Sequence, residues 1–239
     1  MATSGTTTFD LPIDEIIEEA FERTGMRGNR TGYQLKSARR SLNILLSEWG
    51  NRGIHLWKVK LAQIPLVEGQ AEYNFANDNA NFPQDISDIL EAYVRNNTTA
   101  TAPVDTTLTK IDRSAYSALA NKLAKGTPSQ YYVQRTVAPS VFLYQTPSSS
   151  FSGASHFLKF YYVARIQDAG AYTNEADVVF RFLPCMTSGL SYYLSLKYSP
   201  ETAQSNKLIY EDELQRALTE DGQRTSTFIT PQTFYGDGV

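Results

Sequence analysis

The stretch Ser41-Leu42-Asn43-Ile44-Leu45-Leu46-Ser47-Glu48-Trp49-Gly50-Asn51-Arg52-Gly53-Ile54-His55-Leu56-Trp57-Lys58-Val59-Lys60-Leu61 changes its period halfway along. Up to Trp49 the apolar residues recur at threes and fours. Leu35, Ala38, Leu42, Leu45, Leu46 and Trp49 make one stripe, which predicts a helix from about Tyr33 to Gly50. Lys36, Arg39 and Arg40 fall off that stripe. From His55 the chain reads in twos, and Leu56 to Leu66 alternates loosely around Lys58 and Lys60, as a strand does. A helical region therefore gives way to a β-region near residue 55.

Upstream lies a second helical signal. Ile13, Ile16, Ile17, Ala20 and Phe21 share a stripe, with Asp10 as a candidate cap and Pro12 in the first turn. Asp14, Glu15, Glu18 and Glu19 fill the N-terminal half, where the helix dipole favours anions, and Gly25 is the expected stop. Downstream the two-residue period persists to about Ile166. Glu68-Gly69-Gln70 predicts a turn joining the first strand to Tyr73-Asn74-Phe75 in a hairpin. Asp88–Arg95 and Thr106–Ile111 flank the polar tip 96–103. Asp112 opens a short helix expected to reach Leu123. Tyr131–Thr136, Val141–Gln145 and Phe157–Ile166 are further strands, with a Ser/Gly-rich loop between the last two. Pro184 then starts a helix to about Tyr198, with Met186, Leu190, Tyr193 and Leu194 inward. Ser199-Pro200-Glu201 breaks it, and a last helix carries Tyr210, Leu214 and Ala217 on one side.

The expected fold class is α+β: a four-helix bundle interrupted by an inserted β-rich domain, barrel or sandwich-like, with an extended C-terminal tail. The expected divisions are residues 1–54 for the N-terminal helical pair, 55–166 for the β-rich insertion, 167–222 for the C-terminal helical pair and 223–239 for the tail. The chain has 239 residues and a net charge of −3, too little positive charge for a dedicated duplex-DNA binder. No apolar run is long enough to span a membrane. Met1-Ala2-Thr3-Ser4-Gly5 has neither a basic n-region nor an apolar stretch, so a chain made in a reducing cytoplasm is expected.

No nucleophile elbow, P-loop, dinucleotide fingerprint or zinc-ligand spacing occurs. The single cysteine, Cys185, sits at a helix start among Phe182, Leu183 and Met186 and reads as a buried structural thiol. His55 and His156 are too few to build a zinc site and read as strand histidines. The expectation is a protein with no catalytic residues, no metal and no cofactor.

Charge is what stands out. Residues 10–22 hold six acids and no base, and residues 23–60 hold nine bases and one acid. Such faces of opposite sign suit contacts with other proteins or further copies of the chain. Glu15, Glu18, Glu19 and Glu22, with Glu211 and Asp212, are candidates for an inter-subunit face or for lining a passage where DNA slides without sticking, because carboxylates repel phosphates. Arg27, Lys36, Arg39 and Arg40 are candidates for pairing with a neighbouring subunit. The β-region tyrosines read as strand packing, with a sugar-binding surface as the alternative. In the polar tail, Phe228, Ile229, Thr230, Phe234 and Tyr235 can add to a sheet edge or groove of another protein.

Several strings, in order, resemble the head-to-tail adaptor (connector) proteins of tailed bacteriophages, including the tail tubular protein A type. They are Ile13 through Gly25, Leu42 through Trp49, and Asn51 through Trp57. Next come Asp112-Arg113 with Tyr116, and Gly126-Thr127-Pro128 with Tyr131-Tyr132-Val133 and Arg135. Leu143-Tyr144 with Thr146-Pro147, Tyr161 through Arg165, Phe182-Leu183-Pro184 and Lys197 through Glu201 complete the set. The resemblance covers about residues 10–225 and leaves the last stretch unmatched. It implies a structural virion protein, assembled in the host cytoplasm and placed at the head-tail junction. Such adaptors form a ring, usually of twelve copies, between the portal protein and the tail nozzle or tail fibre proteins. DNA passes through the channel without sequence-specific binding. The unmatched tail is expected to dock on the portal and to gain order as it binds. Some tail tubular proteins are credited with cell-wall hydrolysis, so a tail-associated hydrolase or a carbohydrate-binding tail module is the alternative.

Overall fold

The computed structural model describes residues 11–26, 28–53, 56–75, 83–99, 101–153 and 155–221. The chain is α+β. Among the described residues four long helices share one core: α1 (Ile13–Arg23), α2 (Gly32–Asn51), α4 (Leu183–Tyr198) and α5 (Ala203–Asp221). α4 is central and packs against the other three. The expected stripes are the buried ones: Ile13, Ile16, Ile17, Ala20 and Phe21 on α1, and Ala38, Leu42, Leu45, Leu46 and Trp49 on α2. Each large aliphatic or aromatic side chain removed from water there contributes about 1.5–3 kcal/mol before entropy is counted. Trp49 Nε1 donates to the Tyr210 hydroxyl at 2.9 Å, so both polar atoms are satisfied inside the core. Gly189 lets α4 approach closely: a Cβ there would stand 2.9 Å from both Leu45 Cδ1 and Tyr210 Cε2.

Helix ends follow local chemistry. Thr31 caps α2 in a reciprocal box with Gln34, which the sequence reading missed. Pro12 is the N-cap of α1 rather than a first-turn residue and makes no side-chain cap. Its work is done by the connection after the sheet: Ile13 N and Asp14 N donate to the Asn174 and Tyr172 carbonyls, each at 3.0 Å. Asp10, the expected cap, lies outside the described residues. Gly25 follows the C-cap Thr24 with φ of 80°, as expected for the stop. Tyr193 is half-buried rather than fully inward, its hydroxyl donating to Glu48 at 2.7 Å.

The strands are β1 (Val59–Pro65), β2 (Glu72–Asn74), β3 (Ile86–Asn96), β4 (Val104–Lys110), β6 (Gln130–Gln134), β7 (Ser140–Tyr144) and β9 (His156–Ala164). They form one sheet in the order β1-β9-β3-β4-β6-β7-β2. A two-stranded sheet of β5 (Lys125–Gly126) and β8 (Thr146–Pro147) lies beside it, so the Ser/Gly-rich stretch is not wholly loop. The hairpins β3–β4 and β6–β7 form. The hairpin expected around Gly69 does not. β1 pairs with β9, and β2 with β7, which puts β1 and β2 on opposite edges of the sheet. The turn at Gly69 is real, with φ of 72°. Alternation shows that a segment is a strand but not which partner it takes.

This topology forces curvature. The linker 66–71 between the two edge strands reaches at most ~24 Å. A flat seven-stranded sheet would hold its edges ~29 Å apart. The sheet therefore curls, and Ile64 of β1, Tyr73 of β2, Phe160 of β9 and Leu143 of β7 meet in one core. Register shifts in the β3–β9 ladder add local twist. Helix α3 (Arg113–Ala118), capped by Asp112 through Ala115 N at 2.7 Å, ends five residues before the expected Leu123. Among the described residues no helix is long and apolar enough to cross a membrane.

Candidate functional site

The acidic face of α1 lines a groove. Glu15, Glu18, Glu19 and Glu22 follow i, i+3, i+4 and i+7 spacing, so the side opposite the Ile/Phe stripe carries all four, and all four are exposed. The groove holds about 520 Å³ between α1 and the start of α4, and its other wall is Phe180, Leu183, Pro184 and Thr187. Phe180 is 65% exposed. The N-cap of α4, Phe182, offers no side-chain acceptor to the first turn, so the carboxylates beside that turn meet the positive end of its dipole.

Arg23 closes one end. Its Nε donates to Glu19 Oε1 at 2.8 Å and its Nη1 to Ser188 Oγ at 2.7 Å, and the Ser188 hydroxyl in turn donates to Glu213. One guanidinium thus joins α1, α4 and α5. Sequence reading picked the carboxylates but not Arg23, Phe180 or the α4 wall. The available signal was the set of small polar residues Thr187, Ser188 and Ser191 in the apolar first half of α4, all of them buried.

The other candidates are dispersed. Glu211 is remote from this groove and accepts two bonds from Arg52, at 2.9 and 3.0 Å. Arg52 also binds Glu48, so this network fastens the end of α2 to α5. The Arg52 guanidinium holds the Glu211 carboxyl below its ordinary pKa. Asp212 pairs with Arg216 one turn on. Lys36 and Arg40 are exposed on α2. Arg39 is half-buried, donating to the Gly170 carbonyl at 3.3 Å with its guanidinium over Tyr172, so it fastens the connection after the sheet to α2. Arg27, Phe228, Ile229, Thr230, Phe234 and Tyr235 lie outside the described residues.

Cys185 is buried, and its thiol donates to the Phe182 carbonyl at 3.1 Å. Burial pushes its pKa up to about 12, so it stays protonated and unreactive near neutrality. His156 is buried edge-on to Phe151, and neither ring nitrogen has a hydrogen-bond partner among the described residues. His55 lies outside them. On the outer face of the sheet Tyr116, Tyr132 and Phe142 pack on one another at 5.4–5.9 Å, so much of their ring area is consumed internally. Among the described residues no group of three or more His, Cys, Asp or Glu is placed to hold a metal ion. Chemically, the α1–α4 groove is a row of carboxylates beside an apolar wall. It suits a cationic, partly apolar protein segment and disfavours phosphate.

No protein-family model matches this sequence, and no curated protein matches it either.

Proposed function

We propose that the chain is a structural virion protein, a head-to-tail adaptor of the tail tubular protein A type. In this reading copies form a ring, of twelve, between the portal and the tail nozzle around a channel for DNA. The four helices act as a rigid bundle, the wedge of the ring. The curled sheet faces the nozzle or tail fibres, and the tail carrying Phe228 and Phe234 docks on the portal. The observation that carries the reading is the division of charge on the helices. Exposed carboxylates crowd the outer face of α1, while Lys36 and Arg40 stand exposed on α2. Different surfaces of opposite sign let identical copies associate head to tail and close into a ring.

The test is the mass of the purified full-length chain, alone and mixed with the portal of its own virus. The expected result is a species of ring mass once the portal is present. A chain that neither self-associates nor binds the portal overturns the reading. Cell-wall lysis lost with one carboxylate, or saccharide affinity in the monomer, would replace it with the hydrolase or the carbohydrate-binding module.

A further inference from the structure

Arg23 divides the groove beside α1 from a neighbouring one. Beyond it lies a second pocket of about 390 Å³, walled by Ser188 and Ser191 of α4 and by Asn206, Ile209 and Glu213 of α5. Arg23 borders both pockets. Thr187, Ser188 and Ser191 lie on one side of α4, between α1 and α5, and form the buried floor of the two pockets. Asn206 adds a separate signal. It is only 9% exposed, yet its side-chain nitrogen has no hydrogen-bond partner among the described residues. A buried unpaired amide is unfavourable, so an incoming acceptor is favoured there.

The complementary surface is on α2. Tyr33, Lys36, Arg40, Ile44 and Ser47 fall on one stripe, opposite the buried stripe of Ala38, Leu42, Leu45 and Trp49. Tyr33 is 76% exposed and Ile44 is 49% exposed, which leaves two large apolar groups on a basic helix face without cover. The stripe from Tyr33 to Ser47 is about 21 Å long, and α1 (Ile13–Arg23), which walls the groove, is about 15 Å long. The two surfaces also face apart. α2 meets α4 through Leu45 at Gly189 and through Ser37 and Ser41 at Lys197. At 100° per residue, Gly189 lies about 160° around α4 from both Thr187 and Ser191, and Lys197 about 80° and 120° from them. Stripe and groove are thus on different flanks of the helical unit, as head-to-tail association requires.

We propose that the outer stripe of α2 in one copy seats in the α1–α4–α5 groove of the next. Lys36 and Arg40 lie along Glu15, Glu18 and Glu22. Ile44 meets Ile209, and the Asn206 amide turns outward so that its nitrogen donates to the Ser47 hydroxyl. This rests on the ring reading above and names the contact that would build the ring.

The experiment uses the full-length chain under conditions where the wild type forms rings, alone or on the portal. Lys36→Glu with Arg40→Glu in one chain, and Glu18→Lys with Glu22→Lys in another, are each expected to weaken assembly at least tenfold. All four changes in one chain are expected to restore it, since the signs again match. Asn206→Leu separates assembly from folding: it removes an unpaired buried amide, so thermal stability holds or rises while assembly weakens. If rings form and neither reversal weakens them, or the fourfold chain is not restored, the proposed contact is wrong and the ring reading stands. If the wild type forms no ring in either condition, the ring reading fails and the contact with it.

Discussion

The helical core draws on two separate stretches, Ile13–Trp49 and Ala169–Ala217, whereas the sheet core lies wholly within Ile64–Ala164. The helices therefore depend on the sheet for closure. Left as an open loop, that long stretch would cost the helical core the entropy of bringing its ends together. The sheet removes most of that cost through its strand order. β1 enters the sheet and β9 leaves it, and the two pair antiparallel, Val59 opposite Val163. Paired Cα atoms stand ~5 Å apart, so the sheet returns the chain beside the point where it departed. The joint is then sealed. Buried Lys58, just before β1, forms an ion pair with Asp177, whose carboxylate also accepts from Gln167 N at 3.1 Å. Trp57 packs on Phe182 with ring centroids 4.6 Å apart.

Two truncations test whether the cores are separate. Both tryptophans, Trp49 and Trp57, belong to the helical core, so tryptophan fluorescence reads that region and circular dichroism reads the whole. Phe160→Ala in the sheet core, which removes the edge-on contact with Phe75, is expected to cost about 3–5 kcal/mol. Trp49→Ala should cost a similar amount in the helices. If closure by the sheet matters, Phe160→Ala also lowers the tryptophan midpoint, although Phe160 touches no tryptophan. An unmoved tryptophan midpoint would make the helices self-sufficient and break the comparison.

Asp177→Asn acts on the joint. It leaves the Lys58 ammonium buried without its counter-charge, at a cost on the order of 2 kcal/mol, below that of a fully buried pair because Asp177 keeps water contact. In urea the tryptophan and dichroism transitions should separate. Coincident transitions at an unchanged midpoint would show that this pair does not couple the two regions.

Glu211→Gln acts inside the helical region alone, with an effect under about 1 kcal/mol for so exposed a pair. Its sign with pH is fixed. Arg52 holds the folded carboxyl below the unfolded value of ~4.3, so the unfolded chain binds the proton first. The stabilisation is present above that value and fades as pH falls through the folded one. Thermal melts at pH 7 and pH 3 should show a wild-type advantage at pH 7 that shrinks at pH 3. An advantage independent of pH would mean that the Arg52 contact does not act through charge.

The two regions also differ in how far their sequences can be read. The buried faces of α1 and α2 were legible because helical burial repeats every 3.6 residues along one segment. Likewise, Asp112 as a cap, Pro184 in the first turn of α4 and the break at Ser199-Pro200 are local signals. The pairing of β1 with β9 was not legible, because a strand's partner depends on contacts a hundred residues away. The α1 carboxylates were visible as a charged face. Their groove was not, since Phe180, Pro184 and Asn206 reach it only through packing. Arg39 and Glu211 looked like free charges and instead fasten elements of their own chain.

In the function proposed above, copies of this chain close into a ring around an open channel. Electron microscopy of the chain mixed with a candidate portal protein, with particles viewed down the axis, reads this out. A closed ring coaxial with the portal and an unobstructed centre is the expected result. Single copies scattered on the portal, open filaments, or a filled centre would contradict it.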